Sequence, residues 1–192
     1  MTIALFGGSS EAFGQNAPAI QRIIAAQPPA AIVQSFNPAI RAITAAAAAP
    51  ATKPSLDQLV DQYASGNALD EQQSCLATAV YFESMGEPLE GQLAVARVVI
   101  NRAASGQYPT SWCAVVKQKA QFSFVRSGRF PRIDPASQAW RKAQAIARIA
   151  VANASATLPT DVLWYHADYV APSWGRRLTR VEKIGAHIFY RA

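Results

Sequence analysis

Apolar residues recur with a helical period from Asp70 onward. With residues 71–84 helical, Leu76, Ala79, Val80 and Glu83 stand at i, i+3, i+4 and i+7, so an acid shares one stripe about 100° wide with three apolar side chains. Asp70, followed three residues later by Gln73, has the form of a capping box. Gly86 supplies a C-terminal stop and Pro88 opens the next helix. In that second helix Leu89, Leu93, Ala96, Ile100 and Ala103 form a face that Val95 and Val99 widen, the pattern of a central helix, while Glu90, Arg97 and Asn101 trace a polar stripe. Tyr108-Pro109-Thr110-Ser111 breaks the chain and caps a short helix over 112–118. Asp134-Pro135 predicts the start of a helix reaching about Asn153, with Trp140, Ala143, Ala147 and Val151 inward and Arg141, Ala145 and Arg148 outward.

Beyond Pro159 the period changes from helical to alternating. Asp161-Val-Leu-Trp-Tyr-His alternates, and Thr179 to Lys183 followed by His187 to Arg191 around Gly185 predicts a closing hairpin. Helices first and a small C-terminal antiparallel sheet last make an α+β domain that is mainly helical. The first seventy residues differ in kind, being rich in Ala, Pro, Gln and Ser. Short helices over 18–26 and 38–48 are kept brief by Pro18, Pro28, Pro29, Pro38, Pro50 and Pro54. The expected organisation is an extension or linker over 1–69 and a catalytic domain over 70–192. No internal repeat is seen, and no apolar run reaches the roughly 18 residues of a membrane span. No basic segment precedes a hydrophobic run, so an export signal is not expected within these residues.

The chain has 192 residues, half of them apolar, enough for one domain of ordinary size. Its net charge of +6 is unevenly placed: residues 75–192 hold 15 Lys/Arg against 7 Asp/Glu, and residues 1–74 hold 3 against 5. A basic domain favours polyanions such as nucleic acid, anionic lipid or an acidic wall polymer, although a solvated basic surface gives the same count. The arginines form no recognisable nucleic-acid motif, and nucleic acid is not an expected partner.

Glu83 is the leading candidate for chemistry. A carboxyl held against apolar atoms keeps its proton to higher pH, as a general acid working near neutrality requires. Glu87 is expected to serve the cap or turn. Cys75 and Cys113 begin two predicted helices and permit a disulfide in an exported protein, with two buried thiols as the alternative. Without a Cys-x-x-Cys spacing and with only two histidines, a zinc site is not expected, nor is any other metal or cofactor. His166 and His187 lie near no nucleophile elbow and read as packing residues or substrate contacts, with Asp168 the only nearby third ligand on offer. Gln121-Phe122-Ser123-Phe124 and Trp164-Tyr165-His166 suit sugar rings, which stack on aromatics and bond to amides and hydroxyls. Taken singly, Phe122, Phe124 and Trp164 suit a core equally.

From Cys75 to Ala192 the chain resembles the SleB-like cell wall hydrolases. The likeness is carried by Ala79-Val-Tyr-Phe-Glu-Ser-Met-Gly-Glu-Pro, Glu90-Gly-Gln-Leu-Ala-Val-Ala-Arg-Val-Val-Ile-Asn-Arg, Tyr108-Pro, Cys113, Gln121-Phe-Ser and Ile184-Gly-Ala-His-Ile-Phe-Tyr. It implies a lysozyme-like domain, cleavage of the β-1,4 bond between N-acetylmuramic acid and N-acetylglucosamine, and Glu83 as the acid. One departure is Met85, where the family commonly has arginine, which removes a charge near the acid. With one obvious carboxyl, a lytic transglycosylase is expected, with Gln121, Phe122, Ser123, Tyr165 and His166 binding substrate. The partner is peptidoglycan, the protein a monomer, its compartment the periplasm or the exterior. A hydrolytic muramidase drawing a second acid from Asp168 or Glu182, an amidase and a noncatalytic wall-binding module stay open.

Overall fold

A computed structural model of the chain describes residues 52–192. Its elements are α1 (Leu56–Ala64), α2 (Glu71–Ser84), α3 (Leu89–Ala104), α4 (Trp112–Val116), α5 (Gln138–Ala152), β1 (Val162–Ala167), a 3₁₀ turn (Ser173–Arg177), β2 (Thr179–Ile184) and β3 (His187–Arg191). The antiparallel sheet has the order β1-β3-β2. This is the α+β architecture expected, with both predicted strand regions in place. The short helices predicted over 18–26 and 38–48 lie outside the described residues.

Capping sets the helix starts. Asp70 accepts from the Gln73 N–H at 2.7 Å and the Gln73 side chain accepts from the Asp70 N–H at 3.3 Å, completing the predicted box. Ser111 caps α4 through the Ala114 N–H. Asp134 does not cap α5. Its side chain takes the Ala136 N–H in a separate turn, and Ser137 caps the helix through the Trp140 N–H, so the cap lies three residues later than Asp134-Pro135 predicts.

Helix α2 is buried on every side from Cys75 to Val80, because α3, α4 and α5 all pack on it. Helix α3 is enclosed in the same way. One side joins the main core with Leu76, Val80 and Ile146, and the other joins a second cluster in which Ala94 and Val98 meet Leu158, Val162 and Phe189 beneath the sheet. The polar stripe expected on α3 is therefore solvated only at Glu90, with Arg97 half-buried and Asn101 buried. Asn101 is buried and its Nδ2 donates to the Pro159 and Val162 carbonyls at 2.9 and 3.1 Å, tying α3 to the start of β1. Arg97 donates to the Ala150 carbonyl and to Asn153 at the end of α5. Helix α5 also departs from its predicted face: Ala145 is buried and Val151 exposed, since α1, α2 and α3 surround a wider arc than one stripe covers.

Helix α1 is the largest departure. The Ala/Pro-rich composition assigned residues 1–69 to an extension, yet Leu56–Ala64 forms a helix with a complete Ser55–Gln58 capping box and buries Leu59 in the main core against α5. Arg148 fastens the α1–α2 connection by donating to the Tyr63 and Asn67 carbonyls at 3.1 and 2.9 Å. Cys75 and Cys113 are bonded, joining α2 to α4 across 38 positions of sequence.

Two outcomes follow for denaturation experiments. Leu59→Ala should cost about 2–4 kcal/mol in urea unfolding, the usual range for a buried leucine, and a chain starting at Gly66 should be less stable than one starting at Thr52. Equal midpoints for both pairs would return α1 to the role of a linker. Breaking the Cys75–Cys113 bond should cost about 3–4 kcal/mol on the loop-closure model, read as a lowered midpoint under reductant.

Candidate active site

Glu83 lies in the last turn of α2, and the chain leaves that helix through Gly86 at φ +92°. Ser84 is turned inward, its hydroxyl donating to the Val80 carbonyl at 2.8 Å. Met85 points the other way and is 60% exposed. The residue that replaces the family's arginine thus stands in solvent and does not line the cleft.

The Glu83 carboxylate accepts from the Tyr165 hydroxyl at 3.1 Å, a contact between the end of α2 and the middle of β1. Around this pair is a cleft of about 280 Å³ whose wall includes Gln121, Phe122, Ser123, Tyr165 and His166. All the substrate-binding candidates named from the sequence are therefore brought to Glu83. Phe122 is buried and packs on Phe124, so it forms floor rather than rim. Trp164, the next residue before Tyr165, faces the opposite side of β1 with Arg97 and Asn101.

Sequence reasoning missed Phe82, Arg102, Tyr169 and the cleft position of His187. Arg102 is the most consequential. Its Nε donates to the Leu163 carbonyl at 2.7 Å, one Nη donates to the Gln121 side-chain oxygen at 3.3 Å, and the guanidinium lies over the Tyr108 ring at 5.1 Å. Because its carbonyl oxygen is taken by Arg102, Gln121 is left to present its NH₂ as a donor. A signal for Arg102 was available, since it closes the Ile-Asn-Arg string of an otherwise apolar helix.

Burial pushes the Glu83 carboxyl above its ordinary range, while the Tyr165 hydrogen bond and the positive charge of Arg102 act in the opposite sense. The Tyr165 hydroxyl is pushed well upward by burial and by the neighbouring carboxylate, so it stays a donor. His166 is fully engaged: its Nδ1 donates to the Ala167 carbonyl at 2.8 Å and its Nε2 accepts from the Tyr190 hydroxyl at 2.9 Å, with Trp174 edge-on. Only its ring is offered to the cleft.

A second set of contacts aligns β1. The Glu87 carboxylate accepts from the Ala186 N–H at 2.8 Å, and a side chain on Gly185, at φ +57°, would collide with that carboxylate. His187 follows, buried, with its ring edge-on to Tyr165 at 5.3 Å. Burial lowers its pKa, although Glu87, 4.0 Å away, raises it. Glu87 thus serves a distant turn and not only its own, pinning the β2–β3 hairpin beneath the tyrosine that meets Glu83.

Asp168 and Glu182 do not join the cleft. Asp168 is paired to Lys183 at 2.7 Å and its pKa is lowered by that partner, while Glu182 lines a groove with Leu56 and Glu90. Among the described residues Glu83 is the one carboxyl in the cleft wall. No group of three or more His, Cys, Asp or Glu residues in metal-binding arrangement is found among them.

The cleft thus joins a single carboxyl at a helix end to aromatics, an amide and a fixed guanidinium on an α+β domain. The chain belongs to the cell wall hydrolase family, whose model matches residues 86–190. That match begins after Glu83, whose role therefore rests on its geometry. Similar proteins include the spore cortex-lytic enzyme of Bacillus subtilis (strain 168), 36% identical over 119 residues that make up 59% of this chain and 35% of that protein. Another is the spore cortex-lytic enzyme of Oceanobacillus iheyensis, 32% identical over 117 residues, 59% of this chain and 39% of that one. The chain thus spans well under half the length of these relatives. Among solved structures, the catalytic domain of the germination-specific lytic transglycosylase SleB from Bacillus anthracis is similar at 29% identity and a TM-score of 0.53, covering 66% of this chain and all of that one. The Bacillus cereus SleB catalytic domain is similar at 30% identity and a TM-score of 0.50, covering 67% and 96%.

The buried acid carries a stability signature. A carboxyl with a raised folded-state pKa is fully tolerated below its unfolded value of 4.5, and its contribution is lost as pH rises through the folded value. Glu83→Gln should therefore raise the melting temperature at pH 7, and the gain should shrink as pH falls toward 4. A gain that does not change with pH would place Glu83 in water.

Proposed function

We propose that the protein cleaves the β-1,4 bond between N-acetylmuramic acid and N-acetylglucosamine in peptidoglycan, as a lytic transglycosylase in which Glu83 is both acid and base. The observation that carries this reading is the single cleft carboxyl, raised by burial and bonded to Tyr165. Family membership and the likeness to a solved lytic transglycosylase domain support the same reading.

Glu83 gives its proton to the glycosidic oxygen as the muramyl C1–O bond breaks, and the N-acetylglucosamine side departs with a new 4-hydroxyl. The remaining oxocarbenium-like centre is electron-poor at C1. Glu83 is now a carboxylate, the form that the Tyr165 hydrogen bond and the Arg102 charge favour. It takes the proton of the muramyl 6-hydroxyl while O6 closes on C1. The product is a 1,6-anhydro end, the acid is restored, and no water is consumed. Gln121 and Ser123 hold the N-acetyl groups, and the ring of His166 packs against sugar.

The domain works without metal in this scheme, outside the cytoplasm, in the periplasm or secreted. The Cys75–Cys113 bond supports such a compartment, since disulfides persist where thiols oxidise. Peptidoglycan digestion followed by turbidity or soluble muropeptides tests the acid. Glu83→Gln should lose about 10²- to 10⁴-fold in rate, the usual contribution of acid–base catalysis, with wall binding retained. Glu87→Gln should lose less, through loosening of the hairpin. Activity that survives the first change, or that disappears only with the second, would move the acid to Glu87.

A further inference from the structure

Between α4 and α5 the chain carries Lys117, Lys119, Arg126, Arg129 and Arg132 before the first acid, Asp134. Within this stretch Arg126 and Arg129 pair as an antiparallel bridge, each N–H donating to the other's carbonyl at 3.1 and 3.0 Å. The two residues between them, Ser127 at φ +51° and Gly128 at φ +72°, make a tight left-handed turn. Like charges placed directly opposite in this way repel each other. Among the described residues neither guanidinium is relieved by a carboxylate: their ion pairs are Lys183–Asp168, Arg191–Asp161 and the longer His187–Glu87.

Both arginines are exposed and line a cavity of about 670 Å³ with Phe124, Phe130 and Ser123. Ser123 belongs equally to the wall of the Glu83 cleft. The aromatic floors of the two are in contact. Phe124 stacks on Phe82, the neighbour of Glu83, at 4.9 Å and 24°, and meets Phe130 at 6.2 Å. Lys117 lies over the Phe130 ring at 5.3 Å, adding a third cation to the same place. The hairpin is therefore a fixed, doubly cationic, aromatic-floored extension of the catalytic cleft.

We propose that the Arg126–Arg129 hairpin is a subsite for the carboxylates of the peptide stems that branch from muramyl residues. This rests on the glycan-cleaving reading above and adds to it the part of the substrate that is not sugar. A glycan strand lying in the Glu83 cleft carries its stems sideways from the muramyl ring, and their free carboxylates are planar anions. Two guanidinium forks suit such anions by paired hydrogen bonds. An occupant carrying carboxylates also removes the repulsion between the facing arginines.

The test uses the full chain carrying Glu83→Gln, so that binding is read without turnover. Its ligands are stem-bearing glycan strands, the same strands with stem carboxyls amidated, strands stripped of stems, and poly(glycerol phosphate). Binding to native strands should exceed binding to amidated or stripped strands by about tenfold or more, the scale of one or two charge-assisted contacts. Adding R126Q and R129Q should collapse that preference toward one. R129Q alone, which keeps the backbone pairing, should reduce it partway.

Thermal melts of the double variant should be unchanged or higher, because the facing charges are gone. Equal binding to native and amidated strands would overturn the proposal, as would a double variant that keeps the preference. A loss confined to poly(glycerol phosphate) would overturn it too, by assigning the hairpin to phosphate. Digestion of native strands by the chain with Glu83 intact, run in parallel, judges the glycan-cleaving reading separately: absent cleavage with carboxylate-dependent binding would reject that reading alone.

Discussion

Everything in the cleft depends on the hydrogen bond between Glu83 and Tyr165. The carboxyl is pushed toward its protonated form by burial, and a donor must still reach it for its charged form to exist at all. That donor comes from a strand 82 positions later in the chain. The sheet must therefore dock on α3 and the hairpin must be held in place before the site exists. Asn101 and Arg102 fasten β1 to α3, and Glu87 fastens the β2–β3 turn to the end of α2. These polar ties are buried or half-buried. Removal of one partner leaves the other unpaired, so their loss is felt in both stability and alignment.

The same contacts support the proposal that one acid takes two roles. Burial alone would leave Glu83 a good acid and a poor carboxylate. Tyr165 and Arg102 moderate this, and Arg102 is itself held by Leu163, Gln121 and Tyr108 so that it does not fold down onto the acid as a salt bridge. An exposed Met85 at the usual arginine position does not disturb that balance, because the side chain there points to solvent.

Much of this was legible in the sequence, and the exceptions share a cause. The cap at Asp70, the stop at Gly86, the hairpin around Gly185 and the place of Glu83 are local features that short patterns specify. The aromatic and amide string at Gln121-Phe-Ser was also readable, and the fold brings it to Glu83. What one-face periodicity could not show is a helix wrapped on all sides. Periodicity puts Ala145 outward and Asn101 on a polar stripe because a single stripe leaves no room for a second buried face, whereas α3 and α5 each touch several layers. Helix α1 was lost to composition: Leu59 is one buried residue in a polar nine-residue helix, and its meaning depends on α5 lying above it. Arg102 was passed over for the same reason, since a buried arginine is intelligible only through the carbonyl and amide that receive it.

In the proposed mechanism a single carboxyl does the chemistry and no water enters the bond-breaking step. Digestion in H₂¹⁸O, followed by mass spectrometry of the released muropeptides, tests this most directly. The expected products are 1,6-anhydromuramyl ends without ¹⁸O, formed equally well in the presence of a chelator. Reducing muramyl ends carrying one ¹⁸O would contradict that mechanism.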